Sequence, residues 1–470
     1  MRNSATGAVN SSDFRLEFQC PQCGAPVTIV ENDRLFACPF CKVKHIIHST
    51  SHWCFYLPAA QGVHSQIYYV PYWRFKGIEY RRRNNEVTGT IIDRSAIAFD
   101  VDEFPPFLGF KAQIHRAKLR MATPDVNGYF LPFTLHRDEF MSRMERGIAG
   151  SRKLGAVLNQ GNDGVPAMKD LLFTLQNSEY QSDRYIAQAS RNAMQRSAMQ
   201  QKKQGELKDY IGEVLSIIYY PYYFDGYHVY DGISQQQISM AQFPDKVSQK
   251  LLRAPRWTPC FLPTLCPNCG WDLTGQADSF AYQCKHCCTL WSAGSGELKQ
   301  LSCAILQTAH TAGIYLPYWC FRFRIAGQNI ESYADLIRNA YLAKVPTPEM
   351  EKLPCCIFVP AFKIAPRPFL KYAFLMSSRP VELPAPSSTV PEHTFALTLP
   401  MNEGRAAVPL VAAQLFRRNK DIAPAITKES VEVFDARLVL IPFVCGGYEY
   451  TQPELNFAVI KNTVQWGKML

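Results

Sequence analysis

Apolar and polar residues alternate along much of this chain with the period of two that sets successive side chains on opposite faces of a β-strand. Phe14, Leu16 and Phe18 open the pattern, and Val27, Ile29, Leu35 and Ala37 continue it around an Asn32-Asp33 turn. A long strand is predicted from about Ile67 to Arg82, turning at Asn84-Asn85 into a second strand from Val87 to Phe99. A short strand follows Asn127-Gly128 at Tyr129 to Phe133, and the alternation returns at Ile217 to Tyr222 with hairpin turns at Asp225-Gly226 and Asp231-Gly232. Over 138–209 the character changes. β-Branched residues thin out, and Ile186, Ala189, Ala193 and Met194 fall at helical spacing, which predicts a helical insertion with a Met-rich stripe at Met194 to Met199.

The pattern occurs twice. Tyr69-Val70-Pro71-Tyr72-Trp73 returns as Tyr315-Leu316-Pro317-Tyr318-Trp319, and Cys20, Cys23, Cys38 and Cys41 return as Cys266, Cys269, Cys284 and Cys287, each shifted by 246 positions. One register held through four cysteines and an aromatic-proline motif predicts an internal duplication. Leu440-Ile441-Pro442-Phe443 matches Tyr220-Pro221-Tyr222, and Phe358 to Lys363 echoes Phe104 to Lys111. The predicted fold is α+β, mainly antiparallel β, each module a Cys₄ ribbon followed by β-hairpin units. Its parts are a flexible tail over 1–13, a first ribbon over 14–49, and a β module over 50–254 that carries the helical insertion. A linker at Pro255 to Pro263 and a second ribbon fill 255–296, and a second β module fills 297–470.

The chain has 470 residues, enough for more than one core, and its 47% hydrophobic and 19% charged content is that of a globular protein rather than a disordered one. The first twelve residues lack the apolar run of a secretory signal, and no stretch reaches the roughly 18 apolar residues of a spanning helix, so a cytoplasmic location is expected. With that expectation, 16 cysteines, eight of them in C-x-x-C pairs, point to metal rather than disulfides.

Four thiolates around a tetrahedral ion need two tight turns facing one another, and each C-x-x-C supplies one such turn. Fourteen residues separate the pairs in both copies. The expected ligands are Cys20, Cys23, Cys38 and Cys41 at one site and Cys266, Cys269, Cys284 and Cys287 at the other, each holding a structural Zn²⁺. Iron suits the same donors. Cys288 competes with Cys287 for the fourth position, and the 246-residue register favours Cys287. Gly24 and Gly270 follow the first pairs, where such turns need positive φ.

The net charge of +10 leaves nucleic acid, an anionic membrane surface or an acidic protein open as partners. Arg81, Arg82 and Arg83 at the hairpin tip, with Arg74, Lys76, Arg322 and Arg324 beside the motif tryptophans, are the candidate anion-binding residues. Alternation turns Trp73 and Phe75 to a core face and leaves Arg74 and Lys76 on a solvated one. No P-loop, dinucleotide fingerprint, H-E-x-x-H or G-x-S-x-G is present, so the expectation is a non-enzymatic adaptor that mediates protein–protein contacts. Nucleic-acid binding and membrane-surface attachment are the alternatives.

The Cys-Pro-x-Cys-Gly knuckles at Cys20 to Gly24 and Cys266 to Gly270 resemble zinc ribbons of the transcription-factor and rubredoxin-like type. Together with the Tyr-x-Pro-Tyr-Trp units they look like a group of bacterial zinc-ribbon proteins, some labelled by similarity to replication-restart helicases. The resemblance covers the ribbons and motif strands and implies architecture rather than activity, since no helicase motor is present. Lys42 and Cys288 depart from it by standing where the second knuckles would carry glycine.

Overall fold

The computed structural model describes residues 14–49, 52–83, 86–99, 104–105, 107–108, 118–136, 139–140, 207–238, 257, 259–294 and 296–466. The predicted tail, the Asn84-Asn85 turn and nearly all of the predicted helical insertion, with its Met-rich stripe, lie outside these residues. Lys208 and Asp209, expected to be helical, instead open a strand. Strands dominate the described chain, and most of them pair antiparallel.

The first half contains β1 (Arg15–Gln19), β2 (Pro26–Val30), β3 (Leu35–Ala37), β4 (Lys44–His48), β5 (Trp53–Tyr56), β6 (Ile67–Arg83), β7 (Glu86–Ile97), β8 (Leu119–Met121), β9 (Tyr129–Phe130), β10 (Lys208–Phe224), β11 (Val229–Asp231) and β12 (Cys260–Pro263). Nine of these form one sheet in the order β2-β1-β8-β5-β10-β6-β7, with β9 beside β6 and β11 beside β10. A separate sheet runs β12-β4-β3. The segment expected to be a linker therefore ends in a strand of the first ribbon, with Cys260 opposite His48 and Pro263 opposite His45.

The second half contains β13 (Leu273–Thr274), β14 (Ala281–Cys284), β15 (Thr289–Gly294), β16 (Glu297–Leu301), β17 (Cys303–Ile305), β18 (Ile314–Ile325), β19 (Cys356–Pro360), β20 (Val431–Cys445), β21 (Glu449–Gln452) and β22 (Phe457–Ile460). The second ribbon is its own sheet, β13-β14-β15-β16, and the remaining strands run β19-β18-β20-β21-β22 with β17 beside β20. This half also holds helices that the strand pattern did not predict: α1 (Tyr333–Ala340), α2 (Pro348–Lys352), α3 (Pro366–Ser377), α4 (Met401–Leu415), α5 (Ile422–Ala425) and α6 (Lys461–Trp466). The signal for α1 was present as a capping box, Ser332 accepting from the Asp335 amide while Asp335 accepts from the Ser332 amide.

Each motif strand sits in the same pairing. β5 lies parallel to β10 and β17 parallel to β20, and β6 and β18 each pair antiparallel to those long strands. Tyr69 faces Pro221 as Tyr315 faces Pro442. Prolines survive here because of where the missing N–H would point. Pro71 falls between the end of β9 pairing at Tyr69 and the start of β7 pairing at Tyr72, so no ladder bond is lost. Its carbonyl still accepts from Ala98, as that of Pro317 does from Ala361. Ile97 thus stands opposite Tyr72 as Pro360 stands opposite Tyr318, while part of Phe104 to Lys111 lies outside the described residues.

Trp73 and Trp319 are both buried, and their indole Nε1 groups donate to the Leu135 carbonyl at 2.7 Å and the Leu399 carbonyl at 2.9 Å. Helices α3 and α4 pack across the two halves. Tyr80 meets Phe369, Glu403 accepts from the Gly212 amide, and Ile78, Tyr80, Val87 and Ile211 join the core of the second half. Among the described residues no helix is long and apolar enough to cross a membrane.

Candidate metal centres

In the first ribbon one knuckle closes the β1–β2 hairpin and the other joins β3 to β4. Their turns are built alike: the Gly24 amide donates to the Cys20 carbonyl at 2.9 Å and the Lys42 amide to the Cys38 carbonyl at 3.0 Å. In the second ribbon the Gly270 amide repeats the bond to Cys266 at 2.8 Å. All four turns need a left-handed residue. Gly24 (φ +71) and Gly270 (φ +73) supply it cheaply, and Lys42 (φ 64) and Cys288 (φ 55) take the same conformation where the sequence lacks glycine. Cys288 is thus the turn residue rather than a ligand.

The turns bring Cys20, Cys23, Cys38 and Cys41 together, and separately Cys266, Cys269, Cys284 and Cys287, with all sulfurs of a group within 4.8 Å of one another. Cys20 and Cys41 Sγ are 3.9 Å apart and Cys23 and Cys38 Sγ 3.7 Å; the matching pairs of the second group, Cys266 with Cys287 and Cys269 with Cys284, are 3.6 and 3.5 Å apart. A tetrahedron of sulfurs about 2.3 Å from a central ion has edges of roughly 3.8 Å, so both groups fit a bound metal. Among the described residues these are the two groups of side chains so arranged.

The surroundings of the sulfurs differ. In the second ribbon Thr289 Oγ1 lies 3.0 Å from Cys287 Sγ and 3.7 Å from Cys266 Sγ, and Trp291 Nε1 donates to that hydroxyl at 2.8 Å. Contact with the Thr289 hydroxyl, working against burial, draws the Cys287 thiol down to about 6. The first ribbon has Val43 and His45 at the matching positions. Its Cys38 thiol is drawn down to about 7 by a different route: burial opposes ionisation, and the Cys41 and Phe40 amides overcome it.

Of the candidate anion-binding residues, several are not solvated. Arg74 and Lys76 are buried. Asp93 accepts from Arg74 Nε at 2.9 Å and Nη2 at 2.7 Å, Glu31 accepts from Nη1, and the Phe14 ring lies against the guanidinium. Arg82 is buried and donates to the Ala423 carbonyl, and Arg81 pairs with Glu79, which also meets Lys208 at 3.3 Å. Arg83 is exposed. Arg322 and Arg324 are exposed too, their guanidinium carbons 5.2 and 5.3 Å from the ring of Phe434, with Arg324 also 3.5 Å from Glu432.

The sequence reading missed the aromatic side chains displayed at the knuckles. Phe40, inside the second knuckle, is 62% exposed; Trp271, just after the third, is 59% exposed and stacks on His286 of the fourth at 5.2 Å. Their neighbours in sequence, a Cys-x-x-Cys turn and its following residue, were the available signal. Comparisons with protein-family models, with curated proteins and with solved structures return no match to this chain.

Proposed function

We propose that this chain is a non-enzymatic zinc-ribbon adaptor that mediates protein–protein contacts in a cytoplasmic complex, with zinc as the structural ion in both Cys₄ groups. The observation that carries this reading is the display of Phe40 and Trp271 at the metal-binding turns. Four protein sulfurs complete a tetrahedral shell, so the ion would brace the turns rather than polarise a substrate, and large rings held outward on a braced turn suit a docking surface. The Cys-Pro-x-Cys-Gly knuckles and the resemblance they bear to ribbon proteins support the same role.

Duplication as the origin of the two modules belongs to this proposal. It is supported by the shared registers of Tyr69 with Pro221 and Tyr315 with Pro442, and by the paired indole donors. The adaptor reading is tested by purifying the native protein from its own lysate beside a Phe40→Ser/Trp271→Ser variant. A defined complex that the variant loses supports it. A native protein that elutes alone as a monomer overturns it.

A second reading is favoured by Arg322, Arg324 and Phe434, an exposed basic-aromatic surface of the kind that stacks bases and tracks phosphates. Fluorescence anisotropy with short single-stranded DNA or RNA would then show affinity that falls with salt and weakens in Arg322→Ala/Arg324→Ala. Equal binding by the variant would remove this surface from consideration.

A further inference from the structure

One strand is a wall of both metal centres. In β4, Ile46 and Ile47 are both buried, and because they are neighbours in a strand they point to opposite faces. Ile47 packs in the cluster that contains Cys20, Cys38 and Phe36 of the first centre. Ile46 packs in the cluster that contains Cys266, Cys284, Leu273 and Trp291 of the second.

Three further ties converge on the same place. Strand β12, which leads into the Cys266 knuckle, pairs with β4 rather than with β13, placing Phe261 opposite Ile47 and Leu262 opposite Ile46. The Arg34 and Leu35 amides, leading into β3, both donate to the Ala277 carbonyl of the second ribbon, at 2.5 and 2.8 Å. Lys44 Nζ reaches Asp272 at 3.2 Å, three residues from a ligand on each side.

We propose that the two centres load metal cooperatively through β4, so that an ion at either one raises the affinity of the other by about tenfold. This rests on the metal reading above and goes beyond it. Closing the first centre fixes the knuckle that begins β4 and so presents Ile46 to the second ribbon. Closing the second fixes the turn between Cys266 and Leu273, which fixes β12 and through it Ile47. Linkage then requires the same factor in both directions.

The test uses the full wild-type chain, stripped of metal, titrated with zinc and followed by native mass spectrometry. Two independent centres, equal or unequal, put at least about half the protein in the one-zinc form at half saturation, because binding without coupling is statistical. Coupling predicts a one-zinc fraction clearly below half. A fraction of half or more overturns the proposal where the two centres, titrated singly in the cysteine variants below, bind zinc within about tenfold of one another; for less equal centres the reciprocal measurement decides. A chain that takes up no zinc at all overturns the metal reading itself, which is a separate failure. Competition with a chromophoric chelator adds the reciprocal measurement. Cys266→Ser/Cys269→Ser should weaken the first centre, and Cys20→Ser/Cys23→Ser the second, by one common factor near ten. Wild-type affinity at the remaining centre in both variants would also overturn it.

Discussion

The first ribbon continues a nine-stranded sheet through β1 and β2, whereas the second is closed on itself as four short strands over a core of Leu273, Tyr282, Trp291, two of its own cysteines and the borrowed Ile46. The cysteine spacing is identical in the two, and the support is not. In the first, Phe14, Leu16 and Val27 belong to the main core of their module, so the hairpin that carries Cys20 and Cys23 has packing that does not depend on an ion. In the second, Ala281 and Leu290 reach the core of the second half, but the knuckle of Cys266 and Cys269 rests on the small core alone, through Cys266 and Leu273. Equal ligand patterns therefore need not mean equal dependence on metal. A ribbon that is too small to bury a core draws its stability from the ion, with apparent binding energies of order 10 kcal/mol.

The largest effect expected from this difference follows metal removal. After chelation, amide exchange should rise across β13 to β16 while β1 and β2 keep most of their protection, read by hydrogen-exchange mass spectrometry. Equal loss in both ribbons would show that the large sheet does not hold the first one.

Next in size is the position after each motif tryptophan, which is Arg74 in one module and Cys320 in the other, both buried. Arg74→Ala strands Glu31 and Asp93 and should cost about 3–5 kcal/mol in urea unfolding, because an unpaired buried charge is left behind. Cys320→Ala should cost about 1 kcal/mol.

A smaller difference lies where the chain crosses the tryptophans. Phe140 stacks on Trp73 at 6.0 Å, while Gly404 of α4 lets the backbone approach Trp319 so closely that a Cβ would stand 2.8 Å from its ring. Gly404→Ala should therefore lower stability by about 1–3 kcal/mol despite alanine's better helix propensity, as overpacking does. A gain in melting temperature would contradict this packing.

The smallest effect concerns the hydroxyl present in one ribbon only. Thr289→Val gives the second ribbon the residue that the first already has at Val43, and should weaken its metal affinity about tenfold, while the first, whose own donors are untouched, falls by less and only through the coupling. It should also raise the pH needed for loading. The thiol of Cys287, now near 6, would move up without its donor, so the thiolate that binds metal would form only at higher pH. Zinc competition at several pH values reads both.

Much of this was legible in the sequence for one reason: it is local. The C-x-x-C turns, the long β6–β7 hairpin and the Pro-Tyr-Trp strands are set by neighbours a few residues apart. What could not be read depends on distant partners. Arg74 looked solvated because its acids lie elsewhere in the chain, Glu31 in the turn after β2 and Asp93 on β7. Arg82 looked like part of a basic tip, yet its acceptor is Ala423 in the other half of the chain. Cys260 to Pro263 looked like a linker because a strand that crosses to another ribbon carries no local mark of its destination. Helix α4 was hidden by Gly404 and Pro409, both poor helix residues that close packing on Trp319 and burial in the core tolerate.

The most direct test of the account is X-ray absorption at the zinc edge on the purified chain, combined with metal analysis. The account predicts two zinc ions per chain, each with four sulfurs at about 2.3 Å, falling to one ion in Cys287→Ser and staying at two in Cys288→Ser. Nitrogen or oxygen scatterers in the shell, or a Cys288→Ser variant that loses an ion, would contradict it.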